Sequence, residues 1–249
     1  LILDFEKGAW GIPDKFQKAH RVTLLNNHEV LDKVVEQLIK DAPKRNRPYD
    51  HVVFDTIDAF AEMSAKELAR RMWNTPGSTW RGDDIRQWGQ KGAGYSRLTN
   101  HCWASIQALE TAGYTWTAVG HIKEETVHVN GKDITVTRPV LFNMLSSILS
   151  RNADVVSMIE ATTVQVPRYK TIQGSGKKIE VGVEEVKRIQ FNAAVQEVGI
   201  GSGTGKLRGV ANLDMTFLLP DFTEGCTGWE KFVAEYNGAT EKVRQGQFA

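Results

Sequence analysis

The chain has 249 residues, 41% of them hydrophobic and 24% charged, an ordinary globular balance with enough length for one large domain or two small ones. A formal net charge of +1 excludes a global pull toward nucleic acid, so any such binding must come from a local patch. Two cysteines, Cys102 and Cys226, make neither a disulfide framework nor a zinc site. No apolar run is long enough to cross a membrane and no signal peptide is visible, so a cytoplasmic location is expected.

Leu1-Ile2-Leu3-Asp4-Phe5-Glu6 is an apolar run ending in acids. Asp4 and Glu6, two apart on a strand, can share a face. The chain starts inside this strand pattern, as if cut at its N-terminus. Val22 to Leu25 is a short strand candidate. Asn26 with Glu29 resembles a capping box, and the helix that follows carries Val30, Leu31, Val34, Val35, Leu38 and Ile39 on one face. Pro43 and a basic turn end it. His51-Val52-Val53-Phe54-Asp55-Thr56 is then a buried strand ending in a carboxylate with a hydroxyl beside it. A helix is predicted from Ala59 to about Trp73, followed by a polar loop that extends through Gly94. A second long helix carries Tyr95, Leu98, Cys102, Ile106 and Leu109 and stops at Gly113.

Thr115 to His121 reads as another buried strand with a polar end. Glu125 to Arg138 forms a hairpin around Asn130-Gly131, and Pro139 opens a helix with Leu141, Met144, Leu145, Ile148 and Leu149. Strands are expected at Ala153–Ala161, Val164–Tyr169, Val186–Ala193 and Leu207–Leu219, with turns at Gly174–Lys178 and Gly199–Gly205. A last amphipathic helix holds Trp229, Phe232, Val233 and Tyr236. Strands alternate with helices first and strands dominate later. That order specifies an α/β fold, a mostly parallel central sheet flanked by helices and extended by antiparallel strands toward the C-terminus. No linker is evident, so residues 1–249 read as one domain.

Asp55 at the carboxyl end of a parallel strand lies where open α/β sheets bind ligands. With Thr56 beside it, it can hold Mg²⁺ through water, the form of a Walker B element; a strand ending in a turn-forming Asp gives the same pattern. Two glycine-rich stretches invite a phosphate-loop reading. In Gly201-Ser202-Gly203-Thr204-Gly205-Lys206-Leu207, Leu207 replaces the hydroxyl residue that ligates Mg²⁺, and Ile200 sits where the first glycine belongs. A strand follows, so no helix N-terminus faces a phosphate. Gly174-Ser175-Gly176-Lys177 fails likewise, and both read as hairpin turns.

Taken together, these elements resemble the RecA-like core of P-loop ATPases, above all the phage nucleotide-binding proteins of the AAA/RecA type that serve as recombinases or single-strand annealing partners. The resemblance runs along nearly the whole chain. It implies ATP and Mg²⁺ as cofactors and hydrolysis at subunit interfaces of a ring or filament. It makes Glu6 the residue that activates the attacking water, Asp55 the Mg²⁺ carboxylate with Thr56 beside it, and His121 the sensor of the γ-phosphate. Lys206 and Arg208, two apart, become the cations that reach a neighbour's nucleotide. A strand-end acid, a structural histidine and a solvated strand edge are the plainer readings of the same residues. The family's phosphate loop and its strand would precede Leu1, so residues 1–249 by themselves are expected not to bind ATP tightly.

The same resemblance points to two segments that could touch single-stranded DNA. Thr75–Gly94 contains Trp80, Arg81, Arg86, Trp88 and Lys91, and Lys123–Arg138 offers Lys123, Lys132 and Arg138. Stacking aromatics with cations on phosphates are what single-strand binding needs. Asp83, Asp84, Glu124, Glu125 and Asp133 lie among them, so binding would be modest and salt-sensitive. Partners would be single-stranded DNA, further copies of the chain and a single-strand DNA-binding protein. A nucleotide-independent annealing module and a replicative helicase motor are the alternatives that share the core.

Overall fold

The computed structural model describes residues 1–6, 21–23, 28–90, 92–129, 131–172, 176–192, 206–207 and 216–218, together with 233 and 237. The chain divides into two compact units, Leu1–Glu125 with Thr137–Asn152, and Thr126–Val136 with Ala153–Ala249.

The first unit is built on a four-stranded parallel sheet. Strands β1 (Ile2–Asp4), β2 (Arg21–Thr23), β3 (His51–Asp55) and β4 (Thr115–Val119) stand in the order β2-β1-β3-β4. The apolar runs dictate this. Leu3, Val52 and Phe54 are fully buried, as strands covered by helices require. Those helices are α1 (His28–Asp41), α2 (Ile57–Trp73), α3 (Ala93–Thr111) and α4 (Asn143–Asn152). Thr56 starts α2, its hydroxyl accepting from the Ala59 N–H at 3.4 Å. A short 3-10 turn, Ile85–Gln87, is capped by Asp84 and packs under α3. Gly94 permits that contact, since a Cβ there would sit 1.9 Å from the Ile85 carbonyl oxygen.

Register fixes what lies at the carboxyl end of the sheet. Asp4 pairs with Asp55, and Asp55 with Val119. The Phe5 N–H donates to the Asp55 carbonyl at 2.7 Å, and the Asp55–Thr56 peptide bond is cis. Residues just past these positions leave the sheet together along one edge. Phe5, Phe54 and Phe60 pack beneath that edge, with ring centroids 5.2 to 6.3 Å apart.

The described residues of the second unit are mostly antiparallel strands. Strands β5 (Ile122–Val129) and β6 (Lys132–Pro139) form the hairpin around residue 131, its tip in this unit. After the two-residue β7 (Val155–Val156) come β8 (Met158–Thr171) and β9 (Lys178–Asn192), which pair along their whole length. Strand β10 (Lys206–Leu207) pairs with β7 and β11 (Thr216–Leu218) with β9.

Most elements fall where the sequence places them, with three differences, one being that the described residues of the expected 207–219 strand belong to two strands of separate sheets, β10 and β11. Residues 153–169 are not two strands broken at Thr162-Thr163. Opposite Arg188 and Lys187 those threonines continue one ladder, and Pro167 is tolerated because β8 is an edge strand of its three-stranded sheet. Nor does Pro139 open a helix. It ends β6, the Val140 N–H donates to the His121 carbonyl at 2.8 Å, and the helix starts at Asn143. The Asn26 cap, the Gly199–Gly205 turn and Cys226 lie outside the described residues, as does nearly all of the final helix. Cys102 is buried, and burial pushes its thiol up to about 12, so it serves as a small core residue. Among the described residues no helix is long and apolar enough to cross a membrane.

Candidate active site

Three side chains from three elements converge at the carboxyl end of the parallel sheet. Glu6 follows β1, Asp58 lies in the first turn of α2 and His121 follows β4. One ligand atom from each lies within 4.8 Å of the other two. Asp58 bonds His121 twice: its Oδ2 lies 2.8 Å from Nδ1, and its Oδ1 accepts the His121 backbone N–H at 3.1 Å. The other ring nitrogen, Nε2, stands 3.9 Å from Glu6 Oε2. Gly120 makes the approach possible, because a Cβ there would meet Ile57 Cγ2 at 3.1 Å and Asp58 Oδ1 at 3.5 Å.

Local chemistry explains each placement. Phe5 is buried in the aromatic cluster while Glu6, the next residue, is exposed, so the strand end anchors one side chain and frees the next. The Glu6 N–H donates to the buried Asp4 carboxylate at 3.1 Å, which fixes the backbone there. Asp58 sits at a helix N-terminus, where a carboxylate is favoured.

Charge links the group. The Asp58 hydrogen bond, with the negative charges of Asp58, Glu6 and Asp55, holds the His121 imidazole above its ordinary value. Burial pushes Asp58 upward, but its bonds to His121 outweigh this and leave it below the usual carboxylate range.

A cleft of 710 Å³ opens beside this cluster, within the range of small-molecule sites. Glu6, Asp58, Glu62 and Glu125 line it with Arg86 and Lys123, so acids outnumber cations four to two. A polyphosphate would be repelled from such a lining unless a cation came with it. Hard carboxylate oxygens are the donors Mg²⁺ prefers, so the donor set fits a metal delivered with nucleotide phosphates. Asp55, half-buried at the end of β3, is a further carboxylate at this sheet edge, outside the cluster and the cleft lining.

The comparison with known families decides the family. The AAA domain matches residues 1–190. The chain belongs to the AAA domain family. No curated protein and no solved structure matches it.

The other candidate residues of this AAA domain are placed as follows. Thr56 is buried and its hydroxyl caps α2, so any bond to a cofactor would compete with the helix cap. Lys206 stands in β10 opposite Val156, while Arg208 and Lys91 lie outside the described residues. Trp80 and Arg81 line a separate depression of 640 Å³ formed by residues of the 72–88 segment. Arg81 donates to the Ser78 carbonyl at 3.0 Å and the Trp80 carbonyl at 2.6 Å, and lies over the Trp73 ring at 5.3 Å. Arg86 forks onto Glu62 at 2.5 and 2.8 Å and also binds Asp84. These acids raise its pKa further, so it is a fixed cation in the cleft wall. Trp88 packs against the core with Arg97 over its ring at 5.5 Å. Lys123 pairs with Glu125 at 3.8 Å. Lys132 begins β6, exposed, and Arg138 lies near its end.

Sequence reasoning missed Asp58 and Glu62. Asp58 carried one usable signal. A carboxylate in the first turn after a strand-end acid must lie at the same sheet edge as residues that follow neighbouring parallel strands.

Proposed function

We propose that this AAA domain is the core of an ATPase acting on single-stranded DNA in the manner of phage recombination proteins, with hydrolysis at the interfaces of a ring or filament. One observation carries the hydrolytic part: Glu6 stands 3.9 Å from His121, which also feels the charge of Asp55, at the end of a parallel sheet. In this reading Glu6 takes a proton from the attacking water. His121, steered by Asp58, keeps Glu6 oriented and responds to the charge beside it. Asp55 would hold Mg²⁺ through water, and the ion, when bound, would supply neutralising charge to the phosphates. Arg86, fixed by Glu62 and Asp84, adds a positive wall to the cleft. Lys206 and Arg208 are proposed to serve a neighbouring subunit, and a single-strand DNA-binding protein is a proposed partner.

The test is ATP hydrolysis by the full-length polypeptide, with and without single-stranded DNA, against Glu6→Gln. Loss of turnover by ~10²–10⁴-fold with nucleotide binding retained supports Glu6 as the base. Unchanged turnover in Glu6→Gln would overturn the assignment. Turnover that ignores DNA would remove the recombination part and favour an ATPase with another client.

A further inference from the structure

Three of the six cations nominated for DNA from sequence are engaged within the protein. Arg86 is forked by Glu62 and Asp84, Lys123 pairs with Glu125, and Arg81 is turned onto carbonyls of its own loop. A different segment is cationic without an acid of its own. Residues 168–178 contain Arg168, Lys170, Lys177 and Lys178 and neither Asp nor Glu, in a chain whose net charge is only +1.

The structure places 168–172 and 176–178 at the closed end of the β8–β9 hairpin. A fourteen-residue strand extends roughly 48 Å at 3.4 Å per residue, so the cations ride at the end of a long arm. The register shifts between Arg168 and Tyr169. Arg168 faces Gly182, yet Tyr169 faces Glu180, so Val181 is the extra residue of a bulge. The bulge lies where the cationic stretch begins. Beyond it Thr171 opposes Lys178, which puts Lys178 on the face of Tyr169, while Arg168 and Lys170 take the other face. The tip thus shows cations on both faces and, on one of them, an aromatic ring 58% exposed. Glu180 opposite Tyr169 is the nearest acid in the ladder.

Cations around an exposed ring are the elements of single-strand binding: charge tracks the backbone and the ring stacks a base. We infer that the tip of the β8–β9 hairpin is a nucleic-acid-binding finger that takes a single strand, with Arg168, Lys170, Lys177 and Lys178 on phosphates and Tyr169 against a base. This rests on the DNA half of the proposed function and not on hydrolysis, since the binding needs no nucleotide.

The test is fluorescence-anisotropy binding of a labelled oligo-dT by the full-length protein without nucleotide, from 50 to 200 mM salt. Four variants are compared: the tip quadruple (Arg168, Lys170, Lys177 and Lys178 each to Gln), Tyr169→Ala, Tyr169→Phe, and Lys187→Gln in the hairpin stem. Unchanged thermal melts show that each folds. The quadruple is expected to weaken binding at least tenfold and to lower the slope of log K against log salt by about 2–3, from ~0.7 per phosphate. Tyr169→Ala is expected to weaken it about fivefold or more, with Tyr169→Phe and Lys187→Gln near wild type. Wild-type binding that the quadruple leaves intact overturns the finger and leaves DNA action standing. An equal loss in Lys187→Gln overturns the assignment to the tip. No oligonucleotide binding by the wild type overturns both the finger and the DNA half of the function. Loss in the quadruple only of binding to phosphatidylserine vesicles reassigns the tip to membranes.

Discussion

Asp58 grips His121 at two points, the ring Nδ1 at 2.8 Å and the backbone N–H at 3.1 Å, so one carboxylate fixes both where the strand end lies and which way the imidazole points. The remaining ring nitrogen is thereby directed at Glu6. A carboxylate behind a histidine sets its tautomer and raises its basicity, and Asp58→Asn removes the charge while keeping the shape. The variant is expected to lower the His121 pKa, read by NMR titration of the ring, and to cut ATP turnover about tenfold or more with nucleotide affinity nearly unchanged. An unmoved His121 titration would show that Asp58 does not govern the ring.

The sign of the pH dependence at this pair follows from the two shifts. His121 is raised in the folded protein, so its contribution is fully present below the unfolded value of about 6.5 and is lost as pH rises through the folded value. Asp58 is lowered, so its contribution is present above about 3.9 and is lost as pH falls through its folded value. The pair therefore supports the fold best in the mildly acidic window between these limits. Both groups are partly exposed, which keeps the effect small. Asp58→Asn is expected to flatten the change in urea midpoint from pH 6 to 8.

A half-buried histidine, His101, works in the opposite sense. His28 Nε2 and His101 Nε2 are 2.8 Å apart between α1 and α3, and His28 is 4% exposed. Burial, with the charges of His28 and Arg71, pushes His101 down to about 4, although Asp32 and Glu67 draw it up. A depressed base takes up its proton more readily in the unfolded chain, so stability falls as pH drops from about 6.5 toward 4. The loss is on the order of 2–3 kcal/mol. His101→Gln is expected to remove most of this slope in urea titrations at pH 4.5 and 6.5, and an undiminished slope would assign it elsewhere.

Glu67 collects three charge-assisted bonds at 2.7 Å, two from Arg70 and one from Arg71. Arg70 first, and then Arg71, hold its carboxyl down at about 2 against the upward push of burial. Converging bonds of this kind exceed a lone surface pair. Glu67→Gln is expected to cost about 1–2 kcal/mol at pH 7. The penalty is present above about 4.3 and shrinks as pH falls toward 2, which chemical denaturation at pH 7 and pH 3 would show.

Gly94→Ala places a methyl group 1.9 Å from a backbone oxygen, that of Ile85. Neither the helix nor the 3-10 turn can yield by rotating a side chain. The substitution is expected to destabilise by about 3 kcal/mol, the upper end of overpacking costs, and to lower Tm by several degrees. A matching Gly77→Ala, at a glycine with φ +79° and no atom within 4 Å, separates backbone strain from collision.

The parallel sheet was legible in the sequence because burial on both faces writes itself as apolar runs, as in Leu1–Leu3 and Val52–Phe54. Ends of those runs pointed to Glu6, Asp55 and His121, since strand ends gather at one edge. Asp58 was not legible in the same way. Whether an acid in a helix's first turn caps its own helix or reaches across depends on how closely the next strand end approaches, and here Gly120 allows it. Arg86 shows the converse. It was nominated from the resemblance of its loop, and its partner Glu62 lies 24 residues away on another element, a pair that local pattern does not reveal. The strand expected to end at Ala161 continues through Thr162 and Thr163, because their partners are set by a strand more than twenty residues on.

The aromatic cluster of Phe5, Phe54 and Phe60 has one more consequence. Phe5 and Phe54 are adjacent in sequence to Glu6 and Asp55, and Phe60 lies two residues from Asp58. The hydrophobic interior and the reactive edge are thus carried by the same few peptide units. Heat or substitution that loosens the rings misaligns the acids at the same moment, so the temperature at which turnover fails should coincide with the temperature at which the first unit melts.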